Sequence, residues 1–222
     1  MTRMKAEFWL NKWELGEIAF HQESINESLQ EHWPSVRAPA GGAVFVPLCG
    51  KSLDMRWLAE QGHPVVGLEV SALACEAFFD ELEARPVIEE AGAFRCYSAG
   101  RYRILQGDFY TATAADLGGV AAFYDRAALV AMPPNLQPKY TRQLTSLLPP
   151  GAVGLINSLE YPPEVMEGPP FSIGETKLRE LLGPRCRLSR LAAREINTEG
   201  TSLEQKGLVG LAETAYRVQI GD

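Results

Sequence analysis

The sequence predicts an α/β fold: a three-layer sandwich around a seven-stranded, mostly parallel sheet, with an N-terminal helical lid. From Ala43 onward, apolar runs of strand length recur, amphipathic helical stretches separate them, and glycine, proline or a capping residue marks the joins. Strands that alternate with helices pair in parallel through right-handed crossovers, so the pattern implies a sheet covered by helices.

The first 35 residues differ in character from the rest and are expected to form the helical cover. "EFWLNKWELG" sets Phe8, Trp9 and Trp13 at helical spacing, and "NESLQEHW" predicts a second short helix ended by Pro34. "RAPAGGA" connects this segment to the core at 43–222. There "AVFVPL" reads as a strand and "SLDMRWLAEQG" as a helix with Leu53, Trp57 and Leu58 on one side and Gly62 as its stop. "PVVGLEV" is the second strand, and "SALACEAFFDELEAR" a helix with Ser71 as N-cap. "FRCYSAGRYRILQGDF" predicts two strands about a tight Ser-Ala-Gly turn. "VAAFYD" is a buried strand, "QPKYTRQLTSLLPPG" a helix and "AVGLINSLEY" a further strand. A helix in "GPPFSIGETKLRELLG" precedes two late strands, "CRLSRLAAREI" and "LVGLAETAYRVQI", expected as an antiparallel edge because no long helix separates them.

With 222 residues, 46% of them hydrophobic and no low-complexity stretch, a single globular domain over 1–222 is expected. No apolar run approaches the roughly 20 residues that span a bilayer, and the charged N-terminus lacks an apolar export core. The net charge of −7, with basic residues scattered rather than clustered, argues against nucleic acid as the main partner. Cys49, Cys75, Cys96 and Cys186 show no CxxC spacing and read as reduced, packed thiols. His21, His32 and His63 show no metal-ligand spacing, so no metal is expected. Reduced thiols make a cytoplasmic protein the simplest expectation, and a monomer is expected because no zipper or exposed apolar repeat is visible.

"PLCGKS" raises the question of chemistry. Gly50-Lys51-Ser52 ends like a phosphate-binding loop, and "VAAFYD" like the acid-ended strand that accompanies one. A phosphate loop, however, needs a first glycine five residues earlier, where Phe45 stands, and Pro47 removes one of the N–H donors that must curl around phosphate. The same stretch suits a nucleoside. A small residue after the first strand lets a ligand approach the backbone, and Glu69 ends the second strand nineteen residues later, where an acid accepts hydrogen bonds from ribose hydroxyls. "LQGDFY" sets Asp108 and Phe109 after another strand, suited to hydrogen-bond and cover an adenine edge. No GxGxxG turn is present for a pyrophosphate, which favours S-adenosylmethionine over a nicotinamide cofactor. Cys49 has no evident histidine partner and reads as packing rather than as a nucleophile.

Five segments, "FWLNKWELGEIAFHQ", "VPLCGKSLDM", "VVGLEVS", "YDRAALVA" and "GPPFS", occur in the order found in the thiopurine S-methyltransferases, which the chain resembles from Phe8 to its final strand. These are class I S-adenosylmethionine-dependent methyltransferases. The resemblance implies seven strands with one antiparallel, and methyl transfer to the sulfur of aromatic or heterocyclic thiols such as thiopurines. It extends the expectation to selenium and tellurium compounds, with S-adenosylhomocysteine as product. It places Trp13 over the cofactor, Leu48 against it, Glu69 on the ribose diol, and Gly107 and Asp108 at the adenine. Arg126 falls near both the cofactor and the acceptor sulfur, and Phe20 faces the substrate. Trp9, Trp13 and Phe20 would then close over a flat ligand, with Trp13 facing the sulfonium charge. On this chemistry Arg126 orients the acceptor and stabilises its charge rather than taking a proton. One departure stands out: where the family leads one to expect a second substrate-proximal arginine, "SLEQKGLVGLAE" offers Lys206, with Arg194 nearby. A non-catalytic S-adenosylmethionine binder and a nucleotide hydrolase are the competing classes.

Overall fold

The computed structural model describes residues 3–221. The chain opens with α1 (Arg3–Glu14) and α2 (Glu27–Val36), then β1 (Val44–Pro47), α3 (Leu53–Glu60), β2 (Val65–Glu69) and α4 (Ala72–Glu81). Three strands follow without an intervening helix: β3 (Val87–Ala91), β4 (Phe94–Ala99) and β5 (Tyr102–Gln106). A one-turn α5 (Ala114–Leu117), β6 (Ala122–Arg126), α6 (Gln137–Leu147), β7 (Val153–Glu160) and α7 (Glu175–Leu182) come next. The chain closes with β8 (Cys186–Ile196), a one-turn α8 (Ser202–Gln205) and β9 (Leu211–Ile220).

Two compact units divide the chain. Residues 1–26 and 39–120 make the first, and residues 27–38 and 121–222 the second. The N-terminal 35 residues are thus shared, α1 going to the first unit and α2 to the second.

The first unit carries strands in the order β3-β4-β5-β2-β1. β1 pairs in parallel with β2, and β2 with β5, so all three end in the same direction. β1 and β2 are buried at every position, as parallel strands covered on both faces must be. α3 and α4 pack on β2, and α1 lies against α4. Ser52 caps α3 by accepting from the Asp54 N–H at 3.2 Å, and Ser71 caps α4 through the Ala74 N–H at 3.3 Å. α3 turns Asp54, Met55, Leu58 and Ala59 inward, and leaves Leu53 and Trp57 half-buried.

The second unit carries the order β6-β7-β9-β8. β6 and β7 are parallel, whereas β9 runs against both β7 and β8. α2 packs on β7 and β9, and α7 on α6.

Among the described residues nine strands exceed the seven expected, and two of them, β4 and β9, run against their neighbours instead of one. The addition is the β3–β4 hairpin inserted before β5. β3, "VIEEA", escapes a sequence reading because all five residues are exposed and no apolar alternation marks them. A second difference lies at Pro34, which sits inside α2 rather than ending it. Proline removes one backbone N–H, but only a final turn lies beyond it, and the Arg217 guanidinium donates to the Val36 carbonyl at 3.0 Å to close that turn.

Close packing sets a direct test. A Cβ added at Gly154 on β7 would meet the fully buried Phe123 ring at 2.3 Å. Gly154→Ala should therefore lower stability by about 1–3 kcal/mol, read as a fall in melting temperature. An unchanged melt would mean that the two strands pack less tightly than this.

Candidate functional site

Glu69 is the centre of the first unit's loops. It ends β2 at 5% exposure, and its carboxylate accepts from two backbone donors: Gly50 N–H on Oε2 at 2.9 Å and Ser71 N–H on Oε1 at 2.8 Å. Its backbone carbonyl accepts from the Gly107 N–H at 2.8 Å. One residue thereby joins the loops that follow β1, β2 and β5. Burial pushes its carboxyl above the usual range, and the N–H groups of Ser71, Gly50 and Val70 pull against that rise. A carboxylate offers about four lone-pair sites, so after two backbone bonds it can still accept from a diol.

The turn after β1 is shaped for close approach. Leu48 and Gly50 both have positive φ, +48° and +52°. The left-handed region costs a leucine about 1–2 kcal/mol, a strain that is typical of ligand-holding turns. At Gly50 a side chain would be strained and would also stand 3.2 Å from the Trp13 ring. Trp13 thus lies directly over this turn. Its ring packs edge-on with Phe20 at 5.7 Å, Phe20 with Trp9 at 5.3 Å, and Trp9 with Phe8 at 5.1 Å. The three residues expected as a lid form one aromatic cluster above Gly50.

Lys51 and Ser52 are accounted for by structure. Lys51 Nζ lies 2.5 Å from Glu81 on α4, an acid that also pairs with Arg56, and Ser52 caps α3. Neither serves a phosphate cradle. Cys49 is buried against the strands: a Cβ at Gly67 would stand 2.6 Å from its sulfur. Burial raises its thiol well above the ordinary value and the neighbouring Glu69 adds to this, so the thiolate of a nucleophile is disfavoured. His63 is also structural, its Nδ1 lying 2.9 Å from the Gly42 carbonyl.

Beyond β5, Gly107 leaves no room for a side chain, since a Cβ would meet the Phe94 ring at 2.6 Å. Asp108 is exposed and caps a 3₁₀ turn at Phe109–Thr111 by accepting from the Tyr110 N–H at 2.9 Å. Phe109 is buried at 3% exposure and packs edge-on with Tyr110 at 5.4 Å. Gln106 donates to the Val70 carbonyl at 2.9 Å, a tie between the ends of β5 and β2 that sequence reading did not single out.

In the second unit, Arg126 ends β6 beside Asn157 of β7. Ala127 follows at φ +63°. Asp125, 1% exposed, accepts from the Leu129 N–H at 3.0 Å and from the Tyr140 hydroxyl at 2.8 Å. Sequence reading marked Asp125 only as a strand-end acid and did not mark Tyr140, whose partner lies 15 residues away in the chain.

The two candidates for a second substrate cation differ. Arg194 bridges Glu27 at 2.6 Å and Glu213 at 2.7 Å, joining α2 to β8 and β9. Lys206 is exposed, and its Nζ donates to the Pro169 carbonyl of the "GPPFS" loop at 3.1 Å. Among the described residues no group of three or more His, Cys, Asp or Glu side chains could hold a metal ion. No described helix is long and apolar enough to cross a membrane.

Against known proteins, residues 4–220 match the thiopurine S-methyltransferase family. The chain is 42% identical over 216 residues to a thiopurine S-methyltransferase of Pseudomonas fluorescens, covering 97% of this chain and 99% of that one. It is 41% identical over 216 residues to one of Bordetella pertussis, with the same shares covered. Its fold is like that of a 1,6-didemethyltoxoflavin-N1-methyltransferase of Burkholderia thailandensis, solved with S-adenosylhomocysteine. That TM-score is 0.62 at 14% identity, over 98% of this chain and 87% of the other. An S-adenosylmethionine-dependent methyltransferase of Anabaena variabilis gives 0.64 at 13% identity, over 97% and 95%.

Asp125 supplies a pH test. Burial pushes its carboxyl up to about 6, against the opposing pull of the Leu129 and Ala128 N–H groups and the Tyr140 hydroxyl. The folded protein therefore holds a proton between about pH 4 and 6 that the unfolded chain has released, so this group's contribution to stability falls as pH rises through that window. The stability of the wild type minus that of Asp125→Asn, from urea unfolding, should drop by up to about 3 kcal/mol between pH 4 and 7. A flat difference would contradict the burial of an ionising carboxyl there.

Proposed function

The chain belongs to the thiopurine S-methyltransferase family, and from that membership we propose that it is an S-adenosylmethionine-dependent enzyme that methylates the sulfur of small aromatic or heterocyclic thiols. The observation that carries the cofactor half of this reading is Glu69, a buried carboxylate fixed by Gly50 and Ser71 with acceptor sites to spare. The family match spans both units and supports taking residues 1–222 as a single methyltransferase domain.

The residues fit this cofactor. Glu69 takes the ribose hydroxyls, which satisfy the lone pairs the backbone leaves open and offset the cost of a buried charge. Leu48 and Gly50 form the turn against which the ligand lies, and Trp13 covers it. Gly107, Asp108 and Phe109 hold the adenine: the exposed Asp108 carboxylate accepts from its edge, and the backbone at Gly107 lies close. When bound, the sulfonium supplies an already activated methyl carbon, so no strong electrophile has to be generated. What the protein adds is alignment and exclusion of water, and such positioning is worth roughly 7–11 kcal/mol in intramolecular analogues.

Arg126 orients the acceptor. A guanidinium gives a charge-assisted hydrogen bond to a thiolate or thione sulfur, or to the ring nitrogen beside it. Aromatic thiols ionise readily near neutral pH, so no general base is needed. Trp9 and Phe20 form the apolar surface against which a flat acceptor lies. Selenols and tellurium compounds fall within the same acceptor class, because soft, polarisable nucleophiles share this chemistry. With Arg194 held by two acids, Lys206 is the cation available to the acceptor in place of a second arginine.

Two experiments test the reading. S-adenosylhomocysteine should bind the wild type in calorimetric titration, and roughly ten- to a hundredfold more weakly to Glu69→Gln, which sets an amide where an anion accepts. Equal affinity would remove Glu69 from the site. In methylation assays, a thiopurine, thiophenol and benzeneselenol should turn over and phenol should not, and Arg126→Ala should lower kcat at least tenfold at saturating cofactor. Binding without turnover of any acceptor would leave a cofactor sensor. Turnover of phenol alone would leave a methyltransferase of another acceptor class.

A further inference from the structure

The chain leaves β6 by a turn that is expensive in two ways. Ala127 adopts φ +63°, where glycine would be relaxed and alanine is strained. Asp125, directly before Arg126, carries an ionisable group at 1% exposure, where an apolar side chain of similar size would avoid the desolvation cost. Both features lie within two residues of Arg126, one on either side of it.

Their geometry explains what they accomplish. Asp125 Oδ1 reaches across the turn to the Leu129 N–H at 3.0 Å, and the Ala128 N–H also supports the carboxylate. This closes Arg126, Ala127 and Ala128 into a loop whose two ends are tied by one side chain. Oδ2 is held by the Tyr140 hydroxyl at 2.8 Å, and Tyr140 is a fully buried residue of α6. On its far side the 3₁₀ turn at Leu129–Ala131 is fixed again, the Val130 carbonyl accepting from the Phe171 N–H at 2.6 Å. A turn tied at both ends to buried groups has one direction in which to launch the side chain it carries.

We infer that Asp125 and Tyr140 are positioning residues for Arg126, a buried clamp that sets the direction of the guanidinium by holding the strained turn at Ala127. The inference rests on the proposed role of Arg126 toward the acceptor. Neither clamp residue touches the reacting atoms. Tyr140 acts through Asp125, and Asp125 through the backbone of the turn. The clamp also explains why an acid stands at the end of an apolar strand.

A double-mutant cycle tests this. Tyr140→Phe keeps the ring and its packing and removes only the hydroxyl, and Asp125→Asn is the second, independent probe. Each is made alone and in the Arg126→Ala background, and kcat and KM are measured with thiopurine at saturating S-adenosylmethionine, alongside S-adenosylhomocysteine affinity. Tyr140→Phe alone should lower kcat roughly tenfold, as a small misplacement of a catalytic group does, with cofactor affinity unchanged. In the Arg126→Ala background the same change should cost less than about twofold, because the group it positions is gone. An equal loss in both backgrounds, no loss in either, or a matching loss of cofactor affinity would overturn the clamp and leave Tyr140 a packing residue. If Arg126→Ala by itself leaves kcat intact, the failure lies in the role proposed for Arg126, and that single variant reveals it without reference to Tyr140.

Discussion

The first unit depends on one buried carboxylate. Glu69 gathers Gly50, Ser71 and Gly107, residues of the loops after β1, β2 and β5, through two carboxylate bonds and one backbone carbonyl. Burying an anion at 5% exposure is unfavourable unless donors surround it. Here the donors are main-chain N–H groups that cannot be removed by side-chain replacement. The Glu69 carboxylate oxygens tie the turns after β1 and β2, and its backbone carbonyl ties the turn after β5.

Strain gathers at the ends of the parallel strands. Leu48 follows β1 and Ala127 follows β6, both non-glycine residues at positive φ. Such conformations persist only where surrounding contacts over-determine them. At Leu48 the contacts are the Glu69 bond to Gly50 and the Trp13 ring above it. At Ala127 they are Asp125 and, behind it, Tyr140. Two acids, each at or near the carboxyl end of a strand, thus do comparable work in different units, bridging to the backbone of a turn while themselves buried.

Several polar and charged residues that invite a functional reading are taken up by the fold. Lys51 pairs with Glu81, Ser52 caps α3, and Arg194 is held between Glu27 and Glu213. Each is plain in the structure and ambiguous in the sequence, since a lysine after a glycine looks the same whether its partner is a phosphate or a helix ten residues long. Lys206 by contrast is exposed and donates to the Pro169 carbonyl.

Much was legible from the chain alone. Periodicity gave the parallel strands and their helices, the cap at Ser71, and the positions of Gly50 and Glu69, because these depend on local spacing and on the rule that ligands meet strand ends. The order of five short segments indicated the family. The exposed strand β3 was missed because it lacks the apolar alternation that burial imposes, and the extension of α2 through Pro34 because its closing donor, Arg217, lies 181 residues away. Tertiary structure alone decided which donors meet which acceptors. That the Glu69 carboxylate bonds Gly50, that Asp125 takes Tyr140 and that Arg194 is spoken for are facts of register and crossover. They join residues brought together only when strands pair and helices pack, and no local pattern in the sequence encodes that distance.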